Sequence, residues 1–276
     1  MKKGLIMEGG AMRGMFTCGV LDVLMENNIT FDGAVGVSAG ATFGCNIKSV
    51  QPGRAYRYNK KYCSDPRYHS IRSLLMSGDI YNVPFCYDEL PYKLDKWDIE
   101  RFENNPMEFY CVATDIETGK AVYHKCETGQ KKDIVWIQAS ASMPLVSRPV
   151  HIGNGVYLDG GMSDSIPLKF MEDKGYDDNL VIETQPIDYI KGRQQFMPLV
   201  RLMLRKYPNM IKCMENRYIM YNEQKRYIRQ REIDGKVKVI RPKEPLNISA
   251  IEKDPSEIER VYRLGRAAGE EYISTL

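Results

Sequence analysis

The chain has 276 residues, 43% hydrophobic and 27% charged, with a formal net charge of +3. This is ordinary globular composition with room for one large domain or two small ones. So mild a basicity gives no support to a nucleic-acid binder, and the absence of any run of 18 apolar residues excludes a membrane-spanning helix by length.

The Met-Lys-Lys start resembles a signal peptide, but its apolar stretch is too short and meets Glu8 at once. "KGLIM" therefore reads as a first strand. A glycine turn follows (Gly9, Gly10, Gly14), then "MFTCGVLDVLMENN", where Val20, Leu21, Val23 and Leu24 fall at helical spacing. "FDGAVGVSAG" is a second apolar run ending in glycines, and "ATFGCNIKSV" a second helix. Two strand–turn–helix units in the first fifty residues predict an α/β fold with a mostly parallel sheet. "MEFYCVATDIETGKAVYHK" predicts two strands around "ETGK", and "VWIQASASMP" a helix stopped by Pro144. "VHIGNGVYLDGG" predicts one strand ending in a further glycine turn. "NLVIETQP" and "KVKVIRP" are later strands. "DPSEIERVYRLGRAAGEEYI" is a helix capped by Asp254, with Pro255 in its first turn and Ile258, Val261, Tyr262, Gly265, Gly269 and Tyr272 on one face. The seven cysteines are irregularly spaced and form no CxxC pair, so a zinc ribbon or redox motif is unsupported. Cys18 and Cys45 read as core thiols, which points to a reducing, cytoplasmic compartment.

Gly36-Val37-Ser38-Ala39-Gly40 is a G-x-S-x-G where a strand passes into a helix. In that setting small flanking residues let strand and helix approach closely. A serine hydroxyl is then presented at the helix N-terminus, where the dipole favours developing negative charge. The competing reading is an ordinary turn with Ser38 as an N-cap. A serine nucleophile needs a base, and the histidines are His69, His124 and His151. None follows residue 151, and the best-placed carboxylate, Asp159, comes after all three. The Ser–acid–His chain order therefore excludes a triad through Asp159. An earlier acid with His124 or His151 satisfies the order, but neither histidine sits at a turn. Asp159 stands at a strand exit before Gly160 and Gly161, where parallel sheets carry their sites, although aspartate before glycine is also a common turn.

Three motifs now stand in order: Gly9-Gly10-Ala11-Met12-Arg13-Gly14, Gly36-Val37-Ser38-Ala39-Gly40 and Asp159-Gly160-Gly161. Together they resemble the patatin-like phospholipase family. "CVATDIETGKAVY", "QASASMPLVSRPVHI" and "DGGMSDSIP" also resemble family segments, and the likeness covers residues 4–190. It implies a three-layer α/β/α sandwich and a histidine-free dyad, with Ser38 as nucleophile and Asp159 as proton acceptor. It also implies an oxyanion hole from the amides of Gly9, Gly10, Ala11 and Met12. Ala11 stands where the family often has a third glycine. Alanine keeps the N–H but restricts the backbone. Arg13 is expected to brace the turn, with holding a lipid phosphate as the alternative. The turn lacks a G-K-[ST] ending and is not a P-loop. No cofactor or metal motif is present.

The implied activity is hydrolysis of lipid acyl esters. The alternatives are acyl transfer through the same acyl-serine, or lipid binding without catalysis. The expected organisation is a catalytic core over 1–190, a basic, partly helical extension over 191–247 that returns to a core strand at 237–242, and a C-terminal helix over 248–276. Between Lys191 and Arg231 there are eleven Lys/Arg against two acids, Glu215 and Glu223. A solvated helical cap over the core is the preferred reading of that run. Peripheral contact with an anionic membrane surface is the alternative.

Overall fold

The computed structural model describes residues 1–276. Eight strands form one sheet: β1 (Lys2–Met7), β2 (Gly33–Val37), β3 (Glu108–Asp115), β4 (Ala121–Cys126), β5 (Val150–Ile152), β6 (Gly155–Asp159), β7 (Tyr176–Ile182) and β8 (Val237–Ile240). The order is β5-β6-β3-β2-β1-β7-β8, with β4 also paired to β3. The five strands from β3 to β8 are parallel to their neighbours. β4 and β6 join β3 antiparallel, and β5 pairs antiparallel with β6. The expectation of a mostly parallel sheet thus holds through the centre and gives way at one edge. Residues 150–161 are a hairpin rather than the single strand expected. Gly153, at φ +57, supplies the left-handed residue that a tight turn needs.

The helices are α1 (Gly14–Glu26), α2 (Ala39–Lys48), α3 (Arg54–Tyr62), α4 (Ile71–Ser77), α5 (Ile99–Asn104), α6 (Lys131–Ser140), α7 (Leu168–Asp173), α8 (Met197–Met203), α9 (Pro208–Ile233) and α10 (Pro255–Ile273). A π-helical segment spans Phe85–Leu94. α6 begins before "VWIQ" and ends at Ser140, ahead of Pro144.

Alternate residues of the central strands enter different cores, the mark of a sheet covered on both faces. Leu5, Met7, Ala34, Leu180 and Ile182 pack with Phe16 and Leu21 of α1, Phe43 of α2 and Val261 of α10. Their neighbours Ile6, Val35, Val37 and Val181 pack with Met171 of α7 and Tyr221 and Ile228 of α9. This is the three-layer α/β/α arrangement. α9 buries Met210, Met214, Tyr221, Lys225 and Ile228, a stripe close to 3.6-residue spacing, so the long basic helix covers the sheet with one face. Phe196, Leu202 and Met203, in and just before α8, are exposed.

α10 docks on α1 through backbone. A Cβ on Gly265 would lie 2.0 Å from the Phe16 carbonyl oxygen, and one on Gly19 would lie 2.1 Å from that of Tyr262. Asp254 caps α10 by accepting the Ser256 N–H at 2.8 Å. Gly265→Val is therefore expected to cost about 3 kcal/mol, the upper end for overpacking, because backbone cannot move aside as a side chain would. Exposed Ala267→Val on the same helix should stay within about 0.5 kcal/mol. Urea unfolding of both variants checks this.

Candidate active site

The carboxyl ends of β1, β2 and β6 meet at one place, and β3 sets their positions. Val112 of β3 pairs with Val37, and the next residue, Ala113, pairs with Asp159. Ser38 follows Val37 directly. β3 therefore brings Ser38 beside Asp159.

The turn at Ser38 is as tight as the motif requires. Ser38 adopts φ 54 and ψ −119, a conformation costing on the order of 1–3 kcal/mol for a non-glycine residue. A Cβ on Gly36 would meet the Gly40 carbonyl oxygen at 2.3 Å, and one on Gly40 that of Met7 at 2.3 Å. Ser38 occupies the N-cap position of α2, yet its side chain makes no capping hydrogen bond, so the hydroxyl is not spent on the helix. The Ser38 N–H donates to Ser140 Oγ at 3.0 Å in a buried contact. The sequence places Ser140 in a helix and in the family-like segment "QASASMPLVSRPVHI", with no role of its own. Nothing local in "QASAS" marks it, because its partner is 102 residues away.

Asp159 is buried. Burial pushes its carboxyl above the ordinary value. The Ser38 hydroxyl, the Arg217 charge and the Gly161 N–H pull the other way. Oδ1 accepts the Gly161 N–H at 2.8 Å, so the turn-aspartate role is real and leaves the second oxygen free of it. The Ser38 hydroxyl is within hydrogen-bonding influence of the Asp159 carboxyl and favours its charged form.

The first glycine turn abuts this pair. A Cβ on Gly9 would lie 2.9 Å from the Val37 oxygen and 3.1 Å from Ser38 Cβ. The N–H groups of Gly9 and Gly10 donate to no backbone carbonyl. Ala11 sits at φ 48, the left-handed region where the missing methyl of glycine would cost nothing. The turn is held by Thr184 Oγ1 donating to the Gly9 oxygen at 3.1 Å and by the Arg13 N–H donating to the Gly10 oxygen at 3.1 Å. The Arg13 Nε is buried and finds no hydrogen-bond partner. The remaining motif glycines are structural neighbours of the pair. Gly14 packs against Phe43 and Ala39, and Gly160 lies close to the Val112 oxygen.

Ser38 lines two adjoining cavities. One is mostly apolar, walled by Met12, Phe43, Tyr58, Tyr81, Tyr87 and Leu90. The other is polar, with Glu8, Gly9, Gly10, Arg13, Asp159, Lys191, Arg217 and Tyr221 around it. No histidine lines either. His69 is buried against Tyr81, His124 pairs with Asp133 at 2.8 Å and stacks on Trp136, and His151 is exposed on β5. His124, Cys126 and Asp133 place ligand-type atoms within 4.8 Å of one another. However, Asp133 Oδ2 already accepts the Glu127 and Thr128 N–H groups and the Thr128 hydroxyl, which accounts for it as a loop anchor.

Residues 5–171 match the family described as patatin-like phospholipase. The chain belongs to the patatin-like phospholipase family. As a member it is a carboxylic ester hydrolase. Residues 207–276 match a separate family described as a domain of unknown function, DUF6363. The chain is 27% identical to the uncharacterized protein YjjU of Escherichia coli (strain K12) over 99% of its own length and 77% of the relative's. It is 29% identical to lysophospholipase nte1 of Emericella nidulans over 67% of its length, but spans only 12% of that protein. Among solved structures, VipD from Legionella pneumophila shares the fold, with a TM-score of 0.50 at 13% identity, covering 99% of this chain and 67% of that one. No helix is long and apolar enough to cross a membrane.

Ser140→Ala would leave the Ser38 N–H buried without an acceptor, a loss expected to cost about 1–3 kcal/mol. Denaturant unfolding of the variant checks this.

Proposed function

We propose that the protein hydrolyses acyl esters of lipids through a Ser38–Asp159 dyad. The observation that carries this reading is the position of Ser38. Its hydroxyl is uncapped, lies beside a buried carboxylate and a turn of unpaired amides, and sits between an apolar and a polar cavity. An acyl chain fits the first cavity and a headgroup the second.

In this scheme Asp159 takes the Ser38 proton while Oγ attacks the ester carbonyl. The amides of Gly9, Gly10, Ala11 and Met12 hold the oxyanion, and each such donor is worth about 10²–10³ in rate. Collapse of the tetrahedral intermediate expels the alcohol, which leaves with the proton from Asp159. Water, deprotonated by Asp159, then attacks the acyl-serine; the second tetrahedral intermediate expels Ser38 Oγ, which takes that proton back from Asp159, and the fatty acid is released. An ordinary aspartate, with pKa about 3.9, is a weak base. Burial raises Asp159 and moves it toward the range where a general base works best.

A fluorophosphonate is expected to label Ser38 stoichiometrically. Ser38→Ala should abolish the adduct and Asp159→Asn should slow its formation by at least about 10²-fold, with the site read by peptide mass spectrometry. An adduct on another serine sinks the reading.

The pH dependence has a definite sign. A base must be deprotonated, so kcat/KM should rise with pH through the Asp159 titration, above the ordinary carboxylate value. Arg217 stabilises the Asp159 charge, so Arg217→Gln is expected to shift that limb to higher pH. A limb unmoved by Arg217→Gln would point to a different base.

A further inference from the structure

We infer that Arg13, Lys191 and Arg217 form a phosphate cradle beside Ser38, and that they select an acyl ester whose headgroup is anionic rather than zwitterionic. The consequence for turnover rests on the hydrolase reading above; the binding site itself does not.

The three cations come from different parts of the chain: the turn after β1, the connection after β7, and α9. All line the polar cavity that Ser38 and the free amides of Gly9 and Gly10 also line. Arg13 Nε is buried and unpartnered. Arg217 is oriented by donating from Nε to the Gly161 oxygen at 2.7 Å. Lys191 is anchored through its backbone, its N–H donating to Asn222 Oδ1 at 2.8 Å, and its Nζ stands 4.7 Å from the Tyr221 ring centroid. The three charges repel one another. With burial as the larger cause, Arg217 and Arg13 hold the Lys191 ammonium down to about 8, and burial with Arg13 also pushes Arg217 down.

The carboxylates nearby offset this cluster only in part: Asp159 favours the Arg217 charge and Glu8 the Lys191 charge, and each carboxylate is also held by other partners. Glu8 accepts the Tyr221 hydroxyl and the Thr184 N–H, both at 2.6 Å. Glu183 is taken by Lys225 at 2.7 Å and Arg241 at 2.8 Å. Asp159 faces Ser38 and Gly161. A phosphate seated here would relieve the mutual repulsion and supply the acceptor that Arg13 lacks, with charge-assisted bonds stronger than neutral ones. A choline or ethanolamine group attached to that phosphate would meet three cations against two carboxylates, Glu8 and Asp159, in the same cavity. Lys191 and Arg217 lie outside the residues matched by the patatin-like family, so this selectivity belongs to the C-terminal part of the chain.

The test compares three soluble short-chain esters with the same acyl group: a monoacylglycerol phosphate, its choline derivative, and the uncharged monoacylglycerol. The wild-type protein is expected to favour the phosphate ester over the other two by at least about tenfold in kcat/KM. Lys191→Gln should reduce that ratio by about tenfold, chiefly through KM, and Lys191→Arg should restore it. Equal kcat/KM on all three esters, or a Lys191→Gln ratio equal to the wild type's, overturns the cradle. Binding of glycerol 3-phosphate and of inorganic phosphate to the Ser38→Ala protein, followed by calorimetry, reads the site without turnover. Salt-sensitive binding of glycerol 3-phosphate that Lys191→Gln abolishes supports the cradle even if no ester is hydrolysed, an outcome that would defeat the hydrolase reading alone. Hydrolysis of every ester with no phosphate binding defeats the cradle alone. Binding of inorganic phosphate with no preference among the esters assigns the site to a free anion and overturns headgroup selection. Circular dichroism and thermal unfolding of each variant confirm that its fold is kept.

Discussion

The placement of Ser38 and Asp159 depends on the register of a single strand. β3 runs parallel beside β2 as far as Val112, which pairs with Val37. One residue later the partner changes: Ala113 pairs with Asp159 of β6, which runs antiparallel. β6 can take this position because β2 has ended and its chain has turned sharply at Ser38 into α2. The contact of Gly160 with the Val112 oxygen, 2.1 Å from where a Cβ would be, shows how closely the second chain follows the first. A one-residue slip in either pairing would reverse the direction of the side chains on that strand and separate hydroxyl from carboxylate.

Electrostatics at the site follow from the same crowding. Asp159 is buried because β6 is packed against β3 under α9, and burial favours the protonated acid. Three partial compensations limit the shift: a backbone N–H, a hydroxyl and the Arg217 guanidinium. Burial outweighs this compensation, so the carboxyl stays above its ordinary value. The compensation comes from two separated segments, since Gly161 follows the motif while Arg217 arrives on α9.

The two cavities divide the chemistry. The first part of the chain supplies the apolar wall, with aromatic residues from α3, the loop before the π-helical segment, and that segment itself. The polar side is finished by residues after β7: Lys191, Arg217 and Tyr221. α9 therefore does two things with two faces. It closes one side of the sheet with Met210, Met214 and Ile228, and it delivers Arg217 to the carboxylate and Tyr221 to Glu8. A helix with so basic a composition reads in isolation as a solvated surface. Its contribution to the site appears only when the stripe it buries fixes which face turns inward.

Much of the fold was legible in the sequence, for local reasons. Continuous apolar runs such as "GLIM" and "GAVGV" signal strands buried on both faces. The glycines at 36 and 40 signal a close strand–helix turn, and Asp254-Pro255 signals a helix start. Each of these depends on a few adjacent residues, so each survives without knowledge of the fold. Ser38, Asp159 and the first glycine turn were legible for the same reason: each sits in a short, constrained backbone motif. Other features required the tertiary structure. The split of residues 150–161 into a hairpin depends on β6 finding β3. The support of Ser38 by Ser140 joins residues far apart in the chain, with no periodicity to betray it. The facing of Arg13, Lys191 and Arg217 depends on the packing of α9 and the loop after β7, and an arginine or lysine side chain gives no local sign of its partner. Sequence determined which backbone turns could hold reacting groups, because turn geometry is a local property. Tertiary structure decided which charges surround them, because electrostatic environment is set by whatever the fold brings near.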